Sequence, residues 1–485
     1  MLSILVGHSY FLRFDQKQQQ RAKPYPPLAT LQVASMLRQT GNEVALFDAM
    51  LADGVGEFRE SLRSARPQLV LLYEDNFNFL SKMCLGAMRR AACEMIAIAR
   101  SQGARVIVAG ADVSDAPEAY LRAGADVALL GEGLFALLAL LPRLDLRPDA
   151  PVSELIDGVA GVASLLGGNL TTVKAARAVR GSGDAQLPAW DLVDVERYRR
   201  AWLKAHGYFS LNIAASRGCS FRCAWCAKPI WGNQYLQREP ASVSQEMAYL
   251  KRELRADHVW FADDIFGFRV DWVREFASAL RANAGSIPFT IQTRADLLSE
   301  RMALALREAG CKEAWIGAES GSQRVLDAMN KGTTVAEIVS ARARLKSVGI
   351  RVGFFIQLGY LDEQLADILA TRELLEAAVP DDVGVSVSYP LPGTKFYELV
   401  RAQLGSKTHW QESADLAMMF HGTYTSEFYR AIRNLLHERV SLETFNSPAH
   451  TDEYHRGRGV LELRWQDLLS CEDRYRTDSS RAAAG

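Results

Sequence analysis

The chain has 485 residues, of which 48% are hydrophobic and 23% are charged, and its formal net charge is −1. This is the composition of a globular protein. A net charge so close to zero argues against a polyanionic partner such as nucleic acid and against an anionic membrane surface. No apolar run is long enough to span a bilayer. The length exceeds what one hydrophobic core usually covers, so we expect two or three domains.

Seven cysteines in a chain of this length, three of them clustered, do not form a disulfide framework. They favour a reducing compartment, so we expect a cytoplasmic protein. Residues 1–6 lack the basic segment and the small-residue cleavage site of a signal peptide, and they predict a buried first strand instead.

Residues 1–145 alternate short apolar runs with helical patterns. The predicted strands lie at residues 2–6, 43–48, 68–73, 104–109 and 126–130, and the predicted helices at 28–40, 55–65, 81–101, 116–123 and 134–141. Such strict alternation predicts an α/β fold with a doubly wound, Rossmann-like parallel sheet.

Doubly wound sheets bind ligands at the carboxyl ends of their strands. Glycines at three of the five predicted ends would let a large flat ligand approach the backbone closely. No Gly-x-Gly-x-x-Gly pattern follows the first strand, which weakens a dinucleotide-binding interpretation. The candidate ligand-binding residues at these ends are His8, Asp48, Glu74, Asn76, Gly110, Ala111, Asp112, Gly131, Glu132 and Gly133.

Residues 146–205 are rich in turn signals, among them Pro148, Pro151, Gly167-Gly168 and Gly181-Ser182-Gly183. They predict a connector that contains a small hairpin and ends in a helix at residues 195–205. From residue 206 to residue 404 the strand–helix alternation resumes, with six units.

Three cysteines follow the first strand of this second region: Cys219, Cys223 and Cys226, in the spacing Cys-x-x-x-Cys-x-x-Cys. Thiolates suit iron–sulfur clusters, zinc or copper. A structural zinc site needs four protein ligands, and no fourth cysteine or histidine follows at zinc-like spacing. The motif therefore favours a cubane cluster with one open iron, while three unrelated buried cysteines or half of a zinc site remain alternatives.

This spacing, after a strand and with Trp225 just before the last cysteine, resembles the cluster loop of the radical S-adenosylmethionine (SAM) enzymes. The resemblance implies a [4Fe-4S] cluster whose fourth iron binds SAM, on a partial (β/α)6 TIM-type barrel spanning residues 206–404. Active-site groups of such barrels lie at the carboxyl ends of the strands. The residues that the resemblance assigns to SAM binding are Trp225, Asp263, Asp264, Arg294, Glu319, Ser320 and Gln357.

Further motifs resemble the cobalamin-dependent branch of that family. They are Ser320-Gly321-Ser322-Gln323, the run from Val325 to Thr333, and Tyr389-Pro390-Leu391-Pro392-Gly393-Thr394. The usual Gly-x-Pro-Gly-Glu after the fifth strand is Gly359-Tyr360-Leu361-Asp362-Glu363 here. The missing Pro-Gly pair puts any SAM contact by Glu363 in doubt.

The first domain, with its Gly131-Glu132-Gly133 turn, resembles the cobalamin-binding domain that precedes many radical SAM barrels. The cobalt-ligating Asp-x-His-x-x-Gly signature is absent, since the corresponding segment reads Asp48-Ala49-Met50-Leu51-Ala52-Asp53. His8 is a candidate ligand, although a lone histidine at a strand end is more often an ordinary hydrogen-bonding residue. A first domain without a cofactor, serving as a lid or docking module, is the alternative.

Residues 405–485 predict a mostly helical cap, rich in aromatic and histidine residues such as His409, Trp410, Phe420, Tyr424 and Tyr429. Such a cap would either shield the mouth of the barrel and select the substrate, or serve only as structure. The sequence does not separate these two roles.

The resemblance implies an enzyme that cleaves SAM reductively to a 5′-deoxyadenosyl radical and, with cobalamin, methylates an unactivated carbon. A cobalamin-dependent cyclase or rearrangement enzyme is the main alternative, followed by a tRNA methylthiotransferase and a non-catalytic iron–sulfur protein. The expected partners are a flavodoxin- or ferredoxin-type one-electron reductant and a small-molecule, lipid, tetrapyrrole or peptide substrate.

Overall fold

The computed structural model describes residues 1–78, 86–173, 187–226, 230, 233–405, 416–444 and 451–477. The predictions made for residues 81–85, Gly181-Ser182-Gly183, His409 and Trp410 lie outside these residues. Within the described ranges, no helix is both long and apolar enough to cross a membrane.

The first sheet has seven strands in the order β2-β1-β3-β4-β5-β6-β7. Its strands are β1 (Ser3–Gly7), β2 (Glu43–Phe47), β3 (Leu69–Tyr73), β4 (Arg105–Ala109), β5 (Val127–Leu129), β6 (Val162–Leu166) and β7 (Asn169–Val173). The first five are parallel, and their order crosses over at β1 and β3, as in a doubly wound sheet. The predicted α/β class is confirmed.

The sheet extends past residue 145 because a hairpin covers its edge. Strands β6 and β7 are antiparallel, joined by Gly167 and Gly168 with φ of 58° and 83°, and Ala163 pairs with Ala128 of β5. Two consecutive residues with positive φ suit a tight hairpin turn. The hairpin predicted within the connector therefore belongs to the first sheet. Without it, the sheet would end in an exposed edge strand at β5.

Helices cover both faces of this sheet. They are α1 (Gln16–Arg21), α2 (Leu28–Gln39), α3 (Val55–Ala65), α4 (Gly86–Ser101), α5 (Ala111–Asp115), α6 (Pro117–Arg122), α7 (Leu134–Leu146) and α8 (Val152–Ile156). Alternate strand residues enter different cores: Ile4 and Leu71 pack in one, Leu5 and Val70 in the other. Burial on both faces explains why these strands read as nearly continuous apolar runs.

The second sheet has six parallel strands in the order β8-β11-β12-β13-β14-β15 and forms an open barrel. These strands are β8 (Ser210–Ile213), β11 (His258–Phe261), β12 (Phe289–Thr293), β13 (Cys311–Glu319), β14 (Arg351–Leu358) and β15 (Asp382–Val387). A separate two-stranded ribbon pairs β9 (Ser216–Arg217) with β10 (Leu236–Gln237). The partial barrel was predicted, and it is confirmed.

The remaining helices precede, alternate with or follow the barrel strands. They are α9 (Val195–His206), α10 (Pro240–Arg252), α11 (Val270–Ala282), α12 (Glu300–Ala309), α13 (Gln323–Ala328), α14 (Val335–Ser347), α15 (Leu365–Ala378), α16 (Lys395–Leu404), α17 (Ser426–Thr444) and α18 (Thr451–Ser470). Helix α17 packs against β15. Its Phe428 and Tyr429 are fully buried, as is Tyr424 just before it.

The carboxyl edges of the two sheets face each other. Arg217, at the start of the cysteine loop, forms an ion pair with Glu132, which follows β5 of the first sheet. The backbone before α2 also contacts the barrel: Trp202 Nε1 donates to Pro24 O at 2.6 Å and Asn212 Nδ2 donates to Pro26 O at 3.0 Å. These buried contacts fix the first domain against helix α9 and strand β8.

Candidate functional site

The cysteine loop is anchored to two later segments of the barrel. The Ala224 N–H donates to Met329 O at 2.8 Å, and the Ala224 carbonyl accepts from the Phe396 N–H at 3.0 Å. The Asn330 side-chain amide donates to Arg222 O at 2.7 Å. These bonds to the loop backbone hold the three cysteines in place against the barrel.

The three thiols of the loop are reduced. Cys219 is buried, while Cys223 and Cys226 are half-buried. The Arg294 guanidinium lies 3.6 Å from Cys223 Sγ and stacks on the Phe221 ring at 3.7 Å from its centroid. The guanidinium is therefore a fixed positive charge beside one of the three candidate metal ligands. Three soft donors with this neighbour fit the ligand set of an iron–sulfur cluster.

The described part of the chain contains no group of three or more His, Cys, Asp or Glu side chains placed around a single metal ion. The loop spreads its cysteines over eight positions of sequence, from 219 to 226.

Arg294 ends β12, as predicted, but its charge is already paired. Its Nε and Nη2 donate to the Asp296 carboxylate at 2.9 Å and 3.1 Å, and Nη2 also reaches Lys331 O at 2.7 Å. The guanidinium is thus held rigidly between the cysteine loop and the turn after α13. Asp296 was not predicted, although it lies only two residues away.

Glu319 ends β13 and forms a buried ion pair with Lys331, with 2.7 Å between Oε1 and Nζ. The two charged groups lie close to Gly317, where a Cβ atom would come within 2.6 Å of both Glu319 Oε1 and Lys331 Nζ. Glu319 also adopts a left-handed backbone with φ of 62°, next to an irregularity in the pairing of β13 with β14. Lys331 was not predicted as a site residue, although it lies in the run from Val325 to Thr333 that resembles the cobalamin-dependent branch.

Asp263 ends β11 and is fully buried beneath the cysteine loop. It accepts from the Ala215 N–H at 3.0 Å and from the Ser216 hydroxyl. Burial raises its pKa to about 7, against the opposing effect of these two hydrogen bonds. Asp263 therefore supports the strand that leads into the loop. Its neighbour Asp264 is exposed.

The other predicted SAM-binding residues lie at the same edge. Ser320 is buried and within 3.2 Å of the Thr371 hydroxyl, and Gln357 Oε1 accepts from Ser388 at 2.9 Å. Trp225 is half-buried against the apolar cluster of Met329 and Phe396. Its Nε1 is buried and has no partner among the described residues.

Glu363 follows β14 and is fully buried. Its Oε2 accepts from the Gly359 N–H at 2.6 Å, and Oε1 has no partner in the described ranges. Burial raises its pKa to about 8, so the carboxyl is protonated at neutral pH. Gly359 has a positive φ of 73° and lies against Met418 and Tyr429 of the C-terminal region.

At the edge of the first sheet, His8 and Asn76 are buried with unsatisfied polar atoms. His8 Nε2 lies 3.0 Å from Asp48 Oδ1 and accepts from the Ala49 N–H, but its Nδ1 has no partner among the described residues. The same holds for both side-chain polar atoms of Asn76, which is 1% exposed. Orphaned buried polar atoms are rare in folded proteins and require an explanation.

Their acidic neighbours are paired. Glu74 accepts three hydrogen bonds from Ser9, and burial raises its pKa. Asp48 accepts from the Tyr198 hydroxyl of α9 at 2.7 Å. Tyr198 and Ser9 were not predicted, because neither stands at a strand end.

Buried contacts and tight turns also fix the part of this edge that follows β4 and β5. Asp112 is buried between Arg89 and Tyr120, and it follows Gly110 and the buried Ala111. Gly131 and Gly133 flank Glu132 with φ of 71° and 72°, which is the left-handed region. At Gly133 a Cβ would meet Leu129 at 2.6 Å. Glycine is therefore required here by the turn itself.

The inner face of the open barrel carries half-buried aromatic side chains. Alternate residues of β13, such as Ala314 and Ile316, are fully buried, whereas Trp315 on the opposite face is half-buried. Trp315 stacks on Phe355 of β14, with 4.8 Å between ring centroids. A Cβ at Gly353 would come within 2.6 Å of the Trp315 ring, so glycine lets the indole lie flat on the sheet.

Residues 213–375 match the family model of the radical SAM superfamily. This match covers the cysteine loop and the strands β11 to β14, and it confirms the domain predicted from the cysteine spacing.

Two curated relatives span most of the chain. An uncharacterized methyltransferase of Pyrococcus horikoshii is 23% identical over 377 residues, which are 77% of this chain and 78% of the relative. The hopanoid C-3 methylase of Methylococcus capsulatus is 24% identical over 400 residues, covering 79% of this chain and 70% of the relative.

A similar solved structure is that of the cobalamin-dependent SAM radical enzyme OxsB with aqua-cobalamin and SAM bound. It aligns with a TM-score of 0.64 and 18% identity over 82% of this chain, which spans 55% of the length of that enzyme. The similarity shows that the two chains share a fold.

Proposed function

We propose that this chain, which contains a radical SAM domain, is a cobalamin-dependent C-methyltransferase that acts on an unactivated carbon of an apolar substrate. The observation that supports it most is the ion pair of Arg217 with Glu132, because it joins the cysteine loop to the ligand-binding edge of the first sheet. Two curated relatives with methyltransferase names align across both regions.

Cys219, Cys223 and Cys226 would hold a [4Fe-4S] cluster. With SAM bound to it, that cluster supplies reductive cleavage of SAM to methionine and a 5′-deoxyadenosyl radical. Arg294 acts here by holding a positive charge beside Cys223, and Asp263 by fixing the strand in front of the loop. The electron comes from an external flavodoxin- or ferredoxin-type reductant.

For SAM, we propose contacts at the carboxyl edge of the barrel. The carboxylate of Asp264 is exposed there and can accept from an ammonium or ribose hydroxyl group. The buried Glu319–Lys331 ion pair lies at this edge, where we propose that the amino and carboxylate groups of SAM bind. The proposed SAM-binding set is Trp225, Asp263, Asp264, Arg294, Glu319, Ser320 and Gln357.

For cobalamin, the buried orphaned atoms of Asn76 and His8 support a bound polar ligand at the edge of the first sheet. Cobalamin supplies a methyl group when it is bound. The residues proposed to hold it are His8, Asp48, Glu74, Asn76, Gly110, Ala111, Asp112, Gly131, Glu132 and Gly133. A bond from His8 Nδ1 to a metal would require Nε2 to carry the ring proton and donate to Asp48, rather than accept from the Ala49 N–H.

The substrate would lie on the aromatic inner face of the barrel, over Trp315 and Phe355. Apolar side chains exclude water, and this protects a carbon radical from side reactions. The contact of Arg217 with Glu132 supports a substrate position between the two proposed cofactor sites.

The test uses the full-length protein, reconstituted anaerobically with iron, sulfide and cobalamin. Separate Cys219→Ala, Cys223→Ala and Cys226→Ala variants are expected to lose bound iron and to reduce 5′-deoxyadenosine formation to the background rate. The matched control is Cys471→Ala, a cysteine in the C-terminal region, which should retain both. Iron retained by all three variants would overturn the proposal. Formation of 5′-deoxyadenosine without a methylated product would favour a cyclase or rearrangement enzyme instead.

A further inference from the structure

Strand β12 carries a glutamine on the inner face of the barrel. Phe289 packs on Phe276 of helix α11, so this residue and its alternates along β12 face outward to the helices. Gln292 and Arg294 therefore point inward, since Arg294 continues the extended backbone of the strand. Gln292 lies two residues before Arg294, roughly 7 Å along the strand. Because the Arg294 guanidinium lies 3.6 Å from Cys223 Sγ, Gln292 is close to the cysteine loop.

The side chain of Gln292 is half-buried, and its amide makes no hydrogen bond within the described residues. Two polar neighbours on the same face are bonded. Thr290 Oγ1 lies 3.0 Å from His258 Nε2, and the Trp315 Nε1–H donates to the Glu313 carboxylate at 3.3 Å. A primary amide has a carbonyl acceptor and two N–H donors. Gln292 therefore offers both kinds of group to a molecule bound inside the barrel.

An aromatic surface lies directly beside this amide. Gln292 and Trp315 are paired neighbours on β12 and β13, so their Cα atoms are about 4.8 Å apart. The Trp315 indole lies flat across β14, where a Cβ atom at Gly353 would come within 2.6 Å of ring carbons. It also reaches β15, since a Cβ atom at Gly384 would lie 3.4 Å from Cζ3 of the indole. Together with the stacked ring of Phe355, at an interplanar angle of 28°, the indole forms a flat surface beside Gln292.

We propose that Gln292 determines substrate specificity by hydrogen bonding to the polar edge of a planar ring that stacks on Trp315 and Phe355. This inference rests on the proposed function, because it concerns the substrate of that reaction. The chemical class that fits is a conjugated ring system with an N–H and a carbonyl group side by side, as in a lactam. The Gln292 amide matches such an edge with one donor and one acceptor. An aliphatic chain would use neither the amide nor the stacking surface.

Equilibrium dialysis of the full-length protein against two bicyclic probes tests this assignment. The probes are 2-quinolone, a planar lactam, and naphthalene, which has the same ring shape without hydrogen-bonding groups. We expect Gln292→Leu to weaken 2-quinolone binding about three- to tenfold, as for the loss of a net hydrogen bond, and to change naphthalene binding by less than about twofold. Gln466→Leu, the same change at an exposed position of α18, should alter neither affinity.

A second variant locates the probes inside the barrel. Gly353→Ala displaces the Trp315 ring and should weaken both probes, whereas Gln292→Leu should weaken only 2-quinolone. Equal weakening of both probes by Gln292→Leu would overturn the assignment, as would the absence of binding of either probe to the wild type. The same conclusion would follow if Gly353→Ala left 2-quinolone binding unchanged.

Two further measurements separate this result from folding and from the proposed function. The thermal midpoint of Gln292→Leu should match that of the wild type, because the amide has no partner within the described residues. A lower midpoint would show that the amide supports the fold, and it would overturn the role in binding. Both probes should still bind to Cys219→Ala. Selective binding of 2-quinolone without any methylated product would contradict the proposed methyl transfer alone and would still support this site.

Discussion

The two carboxyl edges that face each other differ in what they leave unsatisfied. At the barrel edge the ion pairs are Glu319 with Lys331 and Arg294 with Asp296, and the buried atoms without a partner among the described residues include Trp225 Nε1 and Glu363 Oε1. At the edge of the first sheet, Asn76 keeps both of its polar side-chain atoms without a partner among the described residues.

This difference suggests two ways of preparing a site. Paired charges hold the barrel edge in one arrangement before any ligand arrives, which lowers the reorganisation needed on binding. Orphaned buried atoms weaken the free protein and are compensated only when a ligand supplies the hydrogen bonds. Substitution of a paired charge such as Lys331 and substitution of the orphaned amide of Asn76 should therefore have opposite effects on stability.

The largest effect is expected at the Glu319–Lys331 pair. Lys331→Met leaves the Glu319 carboxylate buried without its cation, which costs about 3–5 kcal/mol in unfolding free energy. Urea unfolding followed by circular dichroism measures this loss, and SAM cleavage should fall with it. The double variant Glu319→Gln/Lys331→Met removes both charges and should recover most of the stability. If the single and double variants unfold alike, the pair does not organise this edge.

A second effect concerns the protonated carboxyl of Glu363. The folded protein holds this proton up to a pKa of about 8, while an unfolded chain loses it near 4.5. The folded state therefore binds more protons between these values, and stability should fall as pH rises from 5 to 8. One such group contributes a slope of up to about 1.4 kcal/mol per pH unit.

Glu363→Gln keeps the hydrogen bond from Gly359 but cannot ionise. Its unfolding free energy should fall less steeply with pH than that of the wild type, as measured by urea titrations at several pH values. Glu427→Gln, on the exposed side of α17, serves as the control and should follow the wild type. Parallel curves for all three proteins would contradict a buried protonated Glu363.

The sequence predicted the strands better than the contacts between them. Apolar runs predicted β2 and β4 to within one residue at each end, because a strand buried on both faces appears in the sequence as a short apolar run. The hydrophobic pattern does not report which charges meet. Lys331 reaches Glu319 only after the turn of α13, and Arg217 meets Glu132 across 85 positions of sequence, so both pairs depend on the tertiary fold.

The third largest effect is expected from a substitution that disturbs the packing of Trp315 on the inner face of the barrel. Gly353→Ala would place a methyl group 2.6 Å from ring carbons of Trp315, so the indole must tilt away. Overpacking of this kind costs about 1–3 kcal/mol, and product formation should fall more than SAM cleavage because the substrate surface is altered. In contrast, Gly56→Ala in α3 meets no atom within 4 Å and should be neutral or slightly stabilising. Unchanged product formation in Gly353→Ala would separate this face from the substrate.

The smallest and most discriminating effect is expected at Asn76. Asn76→Leu replaces an unsatisfied buried amide with an apolar group of similar size, so it should raise the unfolding free energy of the cobalamin-free protein by about 1 kcal/mol. The same change should weaken cobalamin binding, measured by absorbance titration, because leucine cannot form the hydrogen bonds that the amide would make with the ligand. Asn42→Leu is the matched control: its side chain already accepts from Leu2 and donates to Leu37, so stability should fall and cobalamin binding should not change. A destabilised Asn76→Leu protein would mean that its amide is satisfied within the chain, and the contrast between the two edges would disappear.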